Sequence, residues 1–105
     1  MAVDILVLAR EAAAKRILFL PHALSQMSRP ERMITSDEVS NAILAGILIE
    51  DYPTDARGHS CLILGFGKQG RAIHVVCAPK ADYLAIITAY LPDPAQWSPD
   101  FSRRL

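Results

Sequence analysis

The chain has 105 residues, 51% of them hydrophobic, so it is long enough for one packed core and too apolar for a disordered segment. Its 11 basic residues balance its 11 acidic ones, which argues against a protein held on nucleic acid by net charge alone. Two cysteines make no disulfide framework, and free thiols in a reducing cytoplasm are expected. The apolar run Ile5 to Ala9 is broken by Arg10 and Glu11 far short of a membrane span, so a soluble, cytoplasmic chain with no membrane contact is expected.

In chain order, Asp4 can cap a helix from Ile5 to about Lys15, with Ile5, Leu8 and Ala12 on one face and Arg10 and Lys15 toward water. Ile17 to Leu20 reads as a short strand or extended link, able to add an edge to a sheet. Pro21 suits the first turn of a second helix, which carries His22, Leu24 and Met27 and ends near Pro30. Thr35-Ser36-Asp37-Glu38 is a capping box for a third helix with Val39, Ala42 and Ile43 on one face and Gly46 at its end. Ile47 to Tyr52 is a strand closed by Pro53, and Thr54 to Gly58 a polar turn. Three apolar runs follow, Cys61 to Phe66, Arg71 to Ala78 and Leu84 to Leu91, joined by short turn-rich segments. An antiparallel meander is the economical reading. The expected fold is therefore α+β, with N-terminal helices packed on a four-stranded antiparallel sheet from Ile47 to Leu91. Beyond it Pro92, Pro94 and Pro99 predict an irregular tail that Trp97 pins down.

With Lys68-Gln69 and Lys80-Ala81 as turn tips, His74 falls opposite Ile63 and Ile87. One face then holds Leu62, Leu64, Phe66, Ile73, Val75, Leu84 and Ile86, with Arg71, Thr88 and Tyr90 toward one end, and packs on the helices. The other holds His59, Cys61, Ile63, His74, Val76, Ala85, Ile87 and the small residues Gly65, Ala72 and Ala89, and stays more open. Cys61 and Cys77 point to opposite faces and remain two free thiols. A turn shifted by one residue would reverse part of this assignment, because strand side chains alternate.

Six segments taken in order, Pro21-His22-Ala23-Leu24-Ser25-Gln26-Met27, Ser36-Asp37-Glu38-Val39, Ile49-Glu50-Asp51-Tyr52-Pro53, Ser60-Cys61-Leu62-Ile63-Leu64-Gly65, Ile73-His74-Val75-Val76 and Ile86-Ile87-Thr88-Ala89-Tyr90-Leu91-Pro92-Asp93, resemble a bacterial family of small domains of unknown function. Members of that family are often encoded beside YgiT-type zinc-finger antitoxins. The family is itself similar to the RelE and BrnT toxins, small ribonucleases with helices on an antiparallel sheet. The resemblance runs from roughly Ile17 to Trp97. It divides a single domain into an extra N-terminal helix (1–16), a family-like core (17–97) and a tail (98–105). It implies the toxin of a toxin–antitoxin pair, a RelE-like mRNA endoribonuclease with an antitoxin protein as partner and mRNA or the ribosome as target. Many relatives carry a basic residue in the second helix where this chain has Ser25-Gln26-Met27, with Arg29 and Arg32 nearby.

Cutting RNA through its own 2′-hydroxyl needs a base, an acid at the leaving oxygen and positive charge on the phosphorane. His74, Tyr90 and His22 fall in the family-like segments and carry groups able to move protons; Arg57 or Arg71 supplies the phosphate contact. The competing reading makes His74 a strand histidine tied to a backbone group, in a non-catalytic protein-interaction domain of the same fold. Neutral net charge favours that second reading. His59, Cys61 and His74 offer three metal ligands at most and too widely spaced, so no metal is expected. The glycine spacing Gly65 to Gly70 is followed by a strand where a dinucleotide motif needs a helix, and no cofactor is expected. Cys61 reads as a packed thiol.

Overall fold

The computed structural model describes residues 4–105. In chain order the elements are α1 (Ile5–Lys15), β1 (Ile17–Phe19), α2 (Pro21–Met27), α3 (Ser36–Ala45), β2 (Ile47–Tyr52), β3 (Ser60–Phe66), β4 (Ala72–Pro79) and β5 (Leu84–Tyr90). They form an α+β fold in which one sheet, ordered β1-β5-β4-β3-β2, carries the helices on one face. The meander from β2 to β5 is antiparallel throughout. The expected sheet of four antiparallel strands is nevertheless incomplete. β1 lies parallel to β5, with Ile17 beside Leu84 and Phe19 beside Ile86, which makes the sheet five-stranded and mixed. Without it the apolar β5 would present an unpaired edge. Backbone bonds from Leu84 N to the Arg16 carbonyl (2.8 Å) and from Leu20 N to the Ile86 carbonyl (3.1 Å) continue the pairing at both ends of β1.

Helix starts follow the sequence closely. Asp4 Oδ1 accepts from the N–H groups of Leu6 (3.1 Å) and Val7 (3.2 Å). At α3 the Thr35 hydroxyl accepts from Glu38 N while Glu38 accepts from Thr35 N, each at 3.1 Å. Two details of α1 differ from expectation. Its buried residues are Ile5, Ala9 and Ala12, with Leu8 exposed, so the packed face is rotated by about one residue. Arg10 does not face water. Its guanidinium donates to the carbonyls of Ile43 (2.9 Å) and Gly46 (2.8 Å), at the negative end of α3 where carbonyls lack helical partners. Opposite, α3 settles onto the backbone of β3: a β carbon at Gly65 would overlap Ala42.

The register departs from expectation by one residue between β3 and β4. His74 lies between Leu64 and Tyr90, not between Ile63 and Ile87. The cause is the turn. A 3-10 turn at Lys68–Gly70 holds Gln69 and Gly70 at φ of 57° and 74°, and Gly67 N donates to the Arg71 carbonyl across a loop centred on Gln69. A bulge between Val76 and Cys77 shifts β4 against β5 again. β4 keeps its expected faces, β3 is flipped, and β5 is flipped beyond the bulge, where Ala89 turns to the core and Thr88 and Tyr90 turn to the outer face beside Val76 and His74. Cys61 and Ile63 join Ile73, Val75, Cys77, Leu84 and Ile86 under the helices, and Leu62 and Leu64 turn to the outer face. Cys61 and Cys77 are therefore directly opposed on the same face, not on opposite faces. Both are buried free thiols, and their sulfurs lie 3.8 Å apart, well beyond a bond.

After β5 the chain doubles back over the outer face. Ser98 N donates to the Arg103 carbonyl (2.7 Å) and Leu105 N to the Gln96 carbonyl (3.0 Å), closing a compact loop with Phe101 at φ 63°. Trp97 is buried beneath it. Among the described residues no helix is long and apolar enough to cross a membrane.

Candidate functional site

β4 directs His74 and, two residues on, Val76 to the face opposite the helices. The outer face around His74 is not open as expected, because the tail covers it and leaves the residue 0% exposed. The Trp97 ring meets the imidazole edge-on at 4.4 Å between centroids, and the Tyr90 ring does so at 5.3 Å. His74 Nε2 lies 2.8 Å from the Phe101 carbonyl and Nδ1 lies 3.2 Å from the Tyr90 hydroxyl. A carbonyl only accepts, so Nε2 carries the proton. In the neutral ring Nδ1 is then the acceptor, and Tyr90 donates to it. Burial drives the His74 pKa below its ordinary value and raises that of Tyr90. The ring is thus neutral, and both nitrogens are occupied.

Beside this pair Arg104 lies over the Trp97 ring, 4.7 Å from its centroid, and grips Glu50 through Nε (2.8 Å) and Nη2 (3.0 Å). The guanidinium holds the Glu50 carboxyl below its usual range. The Tyr52 hydroxyl also donates to Glu50; burial, then that carboxylate, push its pKa up to about 12.

An open cleft of about 640 Å³ continues along the same face. Val76, Ile87 and Thr88 line it together with His22, Arg57 and Arg104. Arg57 is bound to Asp55 by Nε (3.1 Å) and Nη2 (2.9 Å), and this pairing lowers the Asp55 pKa. Its charge is matched before any ligand arrives.

Arg71 is elsewhere. It donates to Glu38 through Nε (3.1 Å) and Nη2 (2.8 Å), and to the carbonyls of Arg32 (2.7 Å) and Met33 (3.1 Å). Those bonds tie the β3–β4 turn to the start of α3. Of the five residues singled out by sequence, the structure joins His74 to Tyr90, puts His22 and Arg57 together in the neighbouring cleft, and sets Arg71 apart in a framework role. His59 pairs with Asp51 at 2.5 Å. Among the described residues no three His, Cys, Asp or Glu side chains converge on a point that would hold a metal ion. Sequence reasoning missed Glu50, Phe101 and Arg104. Glu50 stands on β2, and only the path of the tail brings Phe101 to His74 and Arg104 to Glu50; irregular proline-rich chain carries no periodicity from which to read a path.

Residues 19–91 match the family described as a domain of unknown function, DUF4258. The chain belongs to the DUF4258 family. No curated protein and no solved structure matches it. The DUF4258 segment contains His22, Glu50, Arg57, His74 and Tyr90. Both α1 and the tail that supplies Trp97, Phe101 and Arg104 fall outside it.

Proposed function

We propose that this DUF4258 protein is a non-catalytic interaction domain that takes an extended segment of a protein partner along the outer edge of β2. The observation that carries this reading is the edge itself. Among the described residues no strand pairs with the second side of β2, and large apolar side chains flank it: Ile47 is 54% and Phe66 59% exposed. Together with Asn41, Ala45, Leu64 and Gly65 these two line a hollow of about 190 Å³. An added strand would gain main-chain hydrogen bonds along β2 and place an alternate side chain in the hollow. Left bare, such an edge is a template for unwanted pairing. The state of His74 agrees, because a ring with both nitrogens engaged has no site for a substrate proton.

A second reading is the RelE-like mRNA endoribonuclease toxin, with an antitoxin as its partner. It draws on the gathering of His74, Tyr90, His22 and Arg57, the first pair under a cover that comes from beyond the DUF4258 segment and the second in the open cleft beside it. It requires the tail to lift. The two readings separate in one set of experiments. Extended peptides selected from a displayed library on the whole protein should protect β2 amides in hydrogen exchange, and Ile47→Lys should abolish their binding. Induction in a bacterial host should leave RNA intact. Growth arrest with RNA cleavage that His74→Ala or His22→Ala abolishes would replace the first reading by the second.

A further inference from the structure

Where the β3–β4 turn meets the start of α3, that turn and the loop before α3 form a separate cavity of about 410 Å³. It is lined by Arg32, Met33, Lys68, Gln69 and Arg71. We infer that this cavity is a phosphate-binding site. The inference goes beyond the interaction reading and does not rest on it.

Charge distribution is the first support. The whole chain is neutral, yet three of the five lining residues are cations. The carboxylate in contact with them is Glu38, which is spent on Arg71. Arg29 and Glu31 nearby pair with each other at 3.9 Å and add no net charge. The cavity is therefore left with an excess of about two positive charges, whereas at the cleft Arg57 and Arg104 are each matched by a carboxylate.

Free donors are the second support. Among the described residues the Lys68 ammonium makes no hydrogen bond or ion pair, and Arg32 spends one Nη on Gln26 (2.7 Å) and no more. An ammonium offers three N–H groups and a guanidinium five in a planar fork, and together they suit the tetrahedral oxygens of phosphate. Arg71 contributes mainly its charge, since Glu38 and two carbonyls already take most of its N–H groups. It also holds Lys68 in place: the Glu38 carboxylate that it binds accepts from Lys68 N at 2.8 Å.

The ligand is a phosphate group, either a free small phosphate or the backbone of single-stranded RNA. The full chain is titrated with inorganic phosphate at low ionic strength and its backbone amides are followed by NMR. Shifts should concentrate at Lys68, Gln69, Gly70 and Met33. Lys68→Gln and Arg32→Gln should each weaken binding by about 2–5-fold, the size expected of one partly exposed charge. Unfolding midpoints should not move, because neither head group is tied to a carboxylate in the fold. Arg16→Gln, an exposed cation outside the cavity, should change nothing. A second titration with a short oligouridylate identifies the source. Binding tighter than phosphate at the same amides, with a salt dependence reduced by about 0.7 per cation removed, assigns RNA. Binding no tighter assigns a small phosphate. Absence of shifts at tens of millimolar phosphate, or shifts that survive both substitutions, would overturn the inference.

Discussion

Glu38 is the residue on which the fold's polar framework converges, and its replacement separates two roles that its place in the sequence merges. As the fourth residue of a capping box it needs only a side-chain oxygen that can reach Thr35 N, and glutamine serves that purpose as well as glutamate. In the structure its other contacts are with donors too: Lys68 N at 2.8 Å and the Arg71 guanidinium at 2.8 and 3.1 Å. The side chain is 6% exposed and that of Arg71 28%. Losing the cap is worth about 1 kcal/mol. Removing one member of a fully buried pair costs about 3–5 kcal/mol, and access of water to Arg71 reduces that here. Together Glu38→Ala should cost about 3 kcal/mol, a large share of the ~5–15 kcal/mol that holds a small domain together.

Glu38→Gln is the deciding variant. With the cap kept at Oε1, its amide nitrogen would replace Oε2 and confront both Lys68 N and Arg71 Nε, donor against donor. It should therefore lose about 2 kcal/mol in urea unfolding even though the cap survives. The pH dependence gives an independent check. Arg71 lowers the Glu38 carboxyl to about 2 from an ordinary 4.5. The unfolded chain thus takes up this proton first, and the stabilisation is complete above pH 4.5 and lost as pH falls toward 2. Glu38→Gln should remove that part of the acid slope. A Gln variant within about 0.5 kcal/mol of wild type would show that Glu38 is a cap and nothing more.

Trp97→Ala should cost about 3–5 kcal/mol and release the tail. The His74 imidazole, followed by NMR, should then titrate nearer ~6.5. In the wild type the folded His74 pKa lies below the unfolded one, so stability should decline as pH drops below ~6.5, and His74→Gln should flatten that limb. Gly70→Ala should cost about 1 kcal/mol in thermal unfolding from backbone strain alone, since φ is 74° and no atom crowds a β carbon there. Thiol titration should find both Cys61 and Cys77 in denatured, unreduced protein and neither in the native state, because both are buried; a missing thiol after denaturation would mean a disulfide.

Helix caps and strand existence were legible because they depend on residues close in sequence. Asp4, Thr35 with Glu38, and Pro21 each act within a turn of where they stand. Strand register was not legible. It depends on whether a turn spends four residues or five, and that is settled by Gln69 accepting a left-handed conformation that its side chain does not announce. One residue of error moved Cys61 and Ile63 from the outer face to the core. The parallel placement of β1 was hidden for a related reason: a three-residue apolar run pairs with whatever edge the distant meander leaves open. For the candidate site, His74, Tyr90 and His22 stand in family-like segments and Arg57 was named for its charge, yet the surroundings of His74 came from the tail. Arg71 was named for a charge that the fold had already committed to Glu38.

The tail resolves a problem that the sheet creates. Helices cover one face, and an antiparallel sheet can leave its other face to water only if that face is polar. Here Leu62 and Leu64, turned outward by the register, are almost fully buried, and neither belongs to the core under the helices. The tail lies on this same outer face and brings Trp97 and the Phe101 carbonyl onto His74, the neighbour of Leu64 across the sheet. Completion of the fold and closure of the site are in this way one event. Any ligand seeking His74 must displace packing worth about as much as a buried tryptophan, several kcal/mol taken from its own affinity. The β2 edge and the Arg32–Lys68 cavity carry no such cost. Both are open while the tail is down, so a partner strand or a phosphate can bind the intact protein without competing with its core.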